Sequence, residues 1–168
     1  LEGSLDTREK GSALCFSCHG ANKNSFQKAV VHTPVASGKD CISCHLPLAS
    51  HGIDLLRRKL DKICFLCHNE GDYAKKFKHE PAKDCRSCHD SHSADFENLL
   101  SFGSVELCKS CHKTQGNFVH PVGGKYLDPR NGKSLSCASC HDPHSSDYEP
   151  LLSYDKRRVL CMQCHTGV

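Results

Sequence analysis

Seven copies of the pattern Cys-x-x-Cys-His run through this chain of 168 residues and use every one of its 14 cysteines. The pairs are Cys15 and Cys18, Cys41 and Cys44, Cys64 and Cys67, Cys85 and Cys88, Cys108 and Cys111, Cys137 and Cys140, and Cys161 and Cys164. Behind them stand His19, His45, His68, His89, His112, His141 and His165. With histidine at 13 of 168 positions, chance would place one behind all seven pairs with odds on the order of 10⁻⁸, so the pattern reads as c-type haem attachment. Two intervening residues let both sulfurs reach the two vinyl groups of one porphyrin. The histidine that follows lies under the iron as proximal ligand, and seven covalently bound haem c groups are expected. A disulfide framework accounts for the cysteines but not for the histidines. A closed zinc site takes four ligands and does not demand the same third residue at one offset every time.

Composition points the same way. The hydrophobic fraction is 38% with cysteine included, and about 30% without it, which is thin for one packed core of this length. No apolar run approaches the roughly 20 residues of a membrane span, and the first residues do not read as a signal peptide. Seven haems in 168 residues leave 24 residues for each, too few to sheath every porphyrin separately. The macrocycles must then pack against one another. The expected fold is mainly short α-helices and coil wrapped around a chain of closely packed c-type haems, with little or no β-sheet. Leu55–Cys67, Ser104–His112 and Lys156–Cys164 have helical length and residues. Gly123–Ser136, with Gly123-Gly124, Asp128-Pro129 and Asn131-Gly132, reads as an exposed loop insertion.

The motifs are phased in a repeat. Each copy begins with His-x-Pro or His-Pro, passes a first motif, a further histidine and Leu-Leu, and ends on a second motif preceded by Leu or Ile. Within copies the two motifs are 23 residues apart (Cys41 to Cys64, Cys85 to Cys108) or 24 (Cys137 to Cys161). Between copies the spacing varies, as tandem structural units do. Residues 32–78, 79–119 and 120–168 are the three copies, and 1–31 match only the second half of one, giving a single heptahaem chain of three and a half repeats. In these motifs the sequence resembles the multihaem c-type cytochromes with doubled Cys-x-x-Cys-His motifs, and the resemblance covers nearly the whole chain. It implies electron transfer in periplasmic or extracellular respiration, with haem attached outside the cytoplasmic membrane. An absent signal peptide then means that it was cleaved or that the chain is a fragment, and the half-repeat start favours a fragment or a subunit whose neighbour completes the row.

Six histidines lie outside the motifs: His32, His51, His79, His92, His120 and His144. Each falls at a repeat position, so they read as distal iron ligands, giving low-spin haems of low potential. His51 departs from the pattern, lying six residues after His45 where His92 and His144 lie three after their motif histidines. Met162, between two haem-bearing cysteines, cannot turn to serve as a ligand. Six candidates for seven irons leave one short, and two phasings are open. If each repeat serves its own haems, the haem on Cys15 and Cys18 is left bare. If each His-x-Pro histidine reaches back to the preceding haem, the one on Cys161 and Cys164 is.

The formal charge is +3. Seven haems bring 14 propionates, taking the ferrous molecule to about −11 and the fully ferric one to about −4, so the basic residues argue for propionate pairing and not for nucleic acid. Arg57-Arg58-Lys59 and Lys156-Arg157-Arg158 read as solvated helix faces, with docking to an acidic redox partner as the lesser reading. The leading function is an electron carrier working with redox partner proteins or, end to end, with like subunits. The alternative is a small reductase of nitrite, hydroxylamine or sulfur oxyanions acting at the under-ligated haem.

Overall fold

The computed structural model describes residues 11–37, 41–47, 53–114 and 122–166. Six helices lie among them: α1 (Ser12–Cys18), α2 (Thr33–Ala36), α3 (Cys41–Cys44), α4 (Leu60–Ile63), α5 (Ser104–Cys111) and α6 (Val159–Met162), with short 3₁₀ turns between. The longest, α5, has 8 residues; Glu106 in its first turn and Lys109 in its last complement the helix dipole. Strands are β1 (Val30–Val31), β2 (Phe77–Lys78), β3 (Ser93–Ala94), β4 (Gly123–Leu127), β5 (Ser134–Leu135) and β6 (Ser145–Ser146). They pair antiparallel in twos, β1 with β3, β2 with β6 and β4 with β5. Short helices, coil and little sheet match the reading of the sequence. No helix among the described residues is long and apolar enough to cross a membrane.

Two of the expected helices are much shorter than their sequence suggests. Helix α4 begins only at Leu60 and α6 only at Val159, so both basic runs precede a helix instead of lying on it. For α4 the cause is the Leu-Leu element at the start of the expected span. The first leucine of each pair is left-handed, with φ of 55° at Leu55, 58° at Leu99 and 57° at Leu151, a conformation incompatible with a continuing helix and held only where the surroundings fix it. Gly123–Ser136 is also more than a loop. Its Asp128–Gly132 turn joins the two strands of the β4–β5 hairpin.

The chain forms two compact units, residues 1–66 with 89–101, and residues 67–88 with 102–168. Each is tied by the same wiring. In the first, β1 pairs with β3, Ser93 Oγ donates to the Ser25 carbonyl (2.8 Å) and accepts the Lys28 N–H (3.2 Å), and Lys28 Nζ meets Asp90 Oδ2 at 3.4 Å. In the second, β2 pairs with β6, Ser145 Oγ donates to the Asp72 carbonyl (2.9 Å) and accepts the Lys75 N–H (3.3 Å), and Lys75 Nζ meets Asp142 Oδ2 at 3.1 Å. Ser93 and Ser145 are fully buried, whereas the hydrophobic residues buried among those described are only Ala94 and Leu152. Hydrogen-bonded serines at strand crossings thus take the places that aliphatic side chains fill in an ordinary core.

Candidate haem sites

In five of the seven motifs the histidine N–H donates to the carbonyl of the first cysteine, closing one helical turn: His19 to Cys15 (2.9 Å), His45 to Cys41 (2.8 Å), His112 to Cys108 (2.9 Å), His141 to Cys137 (2.9 Å) and His165 to Cys161 (2.9 Å). A closed turn brings residues three and four apart to one side, which gathers both sulfurs and the imidazole. Cys64 opens a 3₁₀ turn ahead of Cys67 and His68, and Cys85 opens another ahead of Cys88 and His89.

The Leu-Leu element holds the imidazole of the first motif in each repeat. The second leucine bridges the motif histidine, as Leu56 with His45, Leu100 with His89 and Leu152 with His141. The left-handed turn at the first leucine leaves the preceding carbonyl facing the ring. His45 Nδ1 lies 2.7 Å from the Asp54 carbonyl, His89 Nδ1 2.8 Å from that of Asn98, and His141 Nδ1 2.9 Å from that of Pro150. A carbonyl only accepts, so each Nδ1 carries the proton and each Nε2 keeps its lone pair for a metal. His32 and His79 are set the same way, with Nδ1 at 2.9 Å from the Ser91 carbonyl and 3.0 Å from that of Pro143.

Two of the non-motif histidines face motif histidines. His92 lies against His45 with ring centres 6.2 Å apart and planes 27° from parallel. His79 lies against His112 at 6.0 Å and 28°. An imidazole nitrogen binds a first-row transition metal at about 2.0 Å, so two imidazoles on opposite faces of one iron have ring centres roughly 6 Å apart. Both pairs fit a six-coordinate haem iron. Neither phasing of the repeat describes them together. His79 faces a haem motif of its own repeat, while His92 faces one in the preceding repeat, because the β1–β3 pairing draws the loop after His89 into the first unit. His51 and His120 lie outside the described residues.

The loops that carry His92 and His144 contain residues that the sequence reading left without a role. Asp90 Oδ1 accepts the His92 N–H (3.1 Å) and Asp142 Oδ1 accepts the His144 N–H (3.0 Å). Burial alone would raise the Asp90 carboxyl, but the His92 N–H and the Lys28 ammonium outweigh it and hold the group below the ordinary range. Asp142 is lowered in the same way by the His144 N–H and Lys75. Phe26 packs on the His92 ring at 4.4 Å and Tyr73 on the His144 ring at 4.7 Å. Burial, then the neighbouring His45, push His92 below its usual range, which favours the neutral ring that a metal requires. The signal for these supports is the repeated His-Asp-x-His-Ser, at His89–Ser93 and His141–Ser145.

In the second unit, sulfurs of consecutive motifs are neighbours. Burial, then the nearby Cys111, raise the Cys88 thiol. Burial pushes the Cys108 thiol up to about 11, and Cys137, within hydrogen-bonding reach, adds to the shift. Burial also raises the Cys140 thiol, with Cys164 close enough to contribute. The fourth motif therefore adjoins the fifth, the fifth the sixth, and the sixth the seventh. Among the described residues no group of three or more His, Cys, Asp or Glu side chains converges on a closed metal site.

These features define a multihaem c-type cytochrome. The chain belongs to the doubled CXXCH motif family, whose profile matches residues 32–73, 79–117 and 129–168. It is similar to multiheme cytochrome MtrA of Shewanella baltica, 28% identical over 195 residues that cover 98% of this chain and 58% of that protein. High-molecular-weight cytochrome c of Nitratidesulfovibrio vulgaris is 26% identical over 172 residues, covering 82% of this chain and 30% of that protein. The chain thus spans well under two thirds of either relative.

Proposed function

We propose that this chain is a heptahaem electron carrier of periplasmic or extracellular respiration, in which electrons pass between haems in the order of their motifs. The haems are held by the fourteen cysteines and seven motif histidines, with His32, His51, His79, His92, His120 and His144 as distal ligands. Bound haem supplies one-electron chemistry, while the protein sets ligation, local dielectric and spacing. The observation that carries this reading is the nearness of successive motifs in the second unit, where Cys108 and Cys137 are within hydrogen-bonding reach and Cys88 with Cys111, and Cys140 with Cys164, are close enough to interact electrostatically. Covalent attachment at neighbouring sulfurs brings porphyrin edges together. Two fully ligated faces per iron suit repeated electron exchange without bond making. Redox partner proteins, or further copies of the chain, would receive the electrons.

The test is to remove one interior haem. Cys108→Ala/Cys111→Ala deletes the fifth haem, and electron throughput is measured across immobilised protein between an electrode and a soluble ferric acceptor. Throughput is expected to collapse although six haems remain, while the end variant Cys161→Ala/Cys164→Ala retains more of it. Unchanged throughput in the interior variant would show that electrons do not follow the motif order.

A further inference from the structure

The β4–β5 hairpin brings one charged pair against the sixth motif. Asp128, at the end of β4, is 1% exposed. Its main chain closes the turn, its N–H donating to the Lys133 carbonyl (2.7 Å) and its carbonyl accepting the Gly132 N–H (2.8 Å). Its carboxylate accepts the Arg130 main-chain N–H at Oδ1 (3.0 Å), Arg130 Nε at Oδ1 (2.9 Å) and Nη2 at Oδ2 (2.6 Å). This two-pronged pairing fixes the guanidinium plane. The same Nη2 donates at 2.6 Å to the Ser139 carbonyl, which lies between the two cysteines of the sixth motif. Cys140 and Cys164 are both within electrostatic reach of the guanidinium.

An Asn-Gly hairpin turn closes without such a device, and here Asn131-Gly132 is already present. Asp128 instead commits a buried carboxylate to anchoring an arginine on a haem-motif carbonyl. A guanidinium does not lose its proton in proteins, so this charge is permanent. The Asp128 carboxylate offsets part of this charge, but Nη2 is the atom of the pair that lies on the motif carbonyl, so the pair turns its positive end to the sixth motif. A fixed positive charge beside a porphyrin favours the ferrous over the ferric state, because reduction removes one positive charge from the iron.

We propose that Asp128 and Arg130 form a tuning clamp that raises the reduction potential of the haem on Cys137 and Cys140. The clamp rests on haem attachment at that motif, and intact mass separates the two ideas. Arg130→Gln, Arg130→Lys and Asp128→Asn are prepared as haem-loaded proteins and titrated spectropotentiometrically, with thermal unfolding followed in parallel. Arg130→Gln is expected to make one haem of the seven about tenfold harder to reduce, a shift of about 59 mV for one electron. Arg130→Lys, which keeps the charge but loses the fork, is expected to shift the same haem less. Full haem loading with every midpoint unchanged in Arg130→Gln, even with lowered thermal stability, would reduce the pair to a hairpin staple and overturn the clamp. If Arg130→Gln does not accumulate, unchanged midpoints in both Arg130→Lys and Asp128→Asn overturn it equally. A wild-type protein lacking haem at Cys137 and Cys140 would overturn the attachment on which it rests.

Discussion

Preventing haem attachment is expected to abolish the fold, leaving a chain with no helical circular dichroism and no cooperative unfolding. The hydrophobic interior among the described residues is Ala94 and Leu152. Apolar side chains beside the motifs are open: Ile42 is 58% exposed, Leu66 51% and Val159 50%. Such residues gain stability only by packing against the porphyrins, and chain entropy otherwise exceeds what two buried hydrophobic residues supply. The left-handed leucines add strain that nothing else in so thin a core offsets. A variant with all fourteen cysteines replaced by serine tests this. Retention of a cooperative thermal transition in that variant would show a protein core that these residues do not reveal.

His92→Ala and His79→Ala are each expected to convert one ferric haem from low-spin to high-spin, at unchanged haem number. The warrant is the pairing of His92 with His45 and of His79 with His112, with ring centres 6.2 Å and 6.0 Å apart. Removing one imidazole leaves its iron with a single strong axial ligand, and the potential of that haem rises as the second histidine is lost. Electron paramagnetic resonance of the oxidised protein counts the change, and added free imidazole should restore the low-spin signal. An unchanged spectrum would mean that another side chain ligates the haem on His45 or on His112. Phe26→Leu, which loosens the packing on the His92 ring without removing a ligand, should broaden the low-spin signal of one haem only.

The chemistry of the chain was legible in its cysteines because the haem motif is local: five consecutive residues carry both sulfurs and the imidazole. The shortness of the helices was legible in part. Leu55 opens the stretch read as a helix, yet it turns left-handed and Leu56 bridges His45, and propensity does not record that. The hairpin was hidden because Gly123 and Gly124 are poor strand formers, although Asn131-Gly132 carried the turn signal. The partner of His92 was not legible. It is set by β1 pairing with β3 across more than sixty residues, and a count of histidines per repeat supplies no long-range pairing. The repeated His-Asp-x-His-Ser was visible as letters, but its roles follow only from the contacts of Asp90, Ser93, Asp142 and Ser145.

The mass of the intact protein under denaturing conditions counts its covalently held haems directly, because thioether-bound haem survives unfolding. The expected result is the 18.5 kDa polypeptide plus seven haem equivalents, with iron and no stoichiometric zinc by metal analysis. Six haems or fewer, or zinc in place of iron, would contradict it.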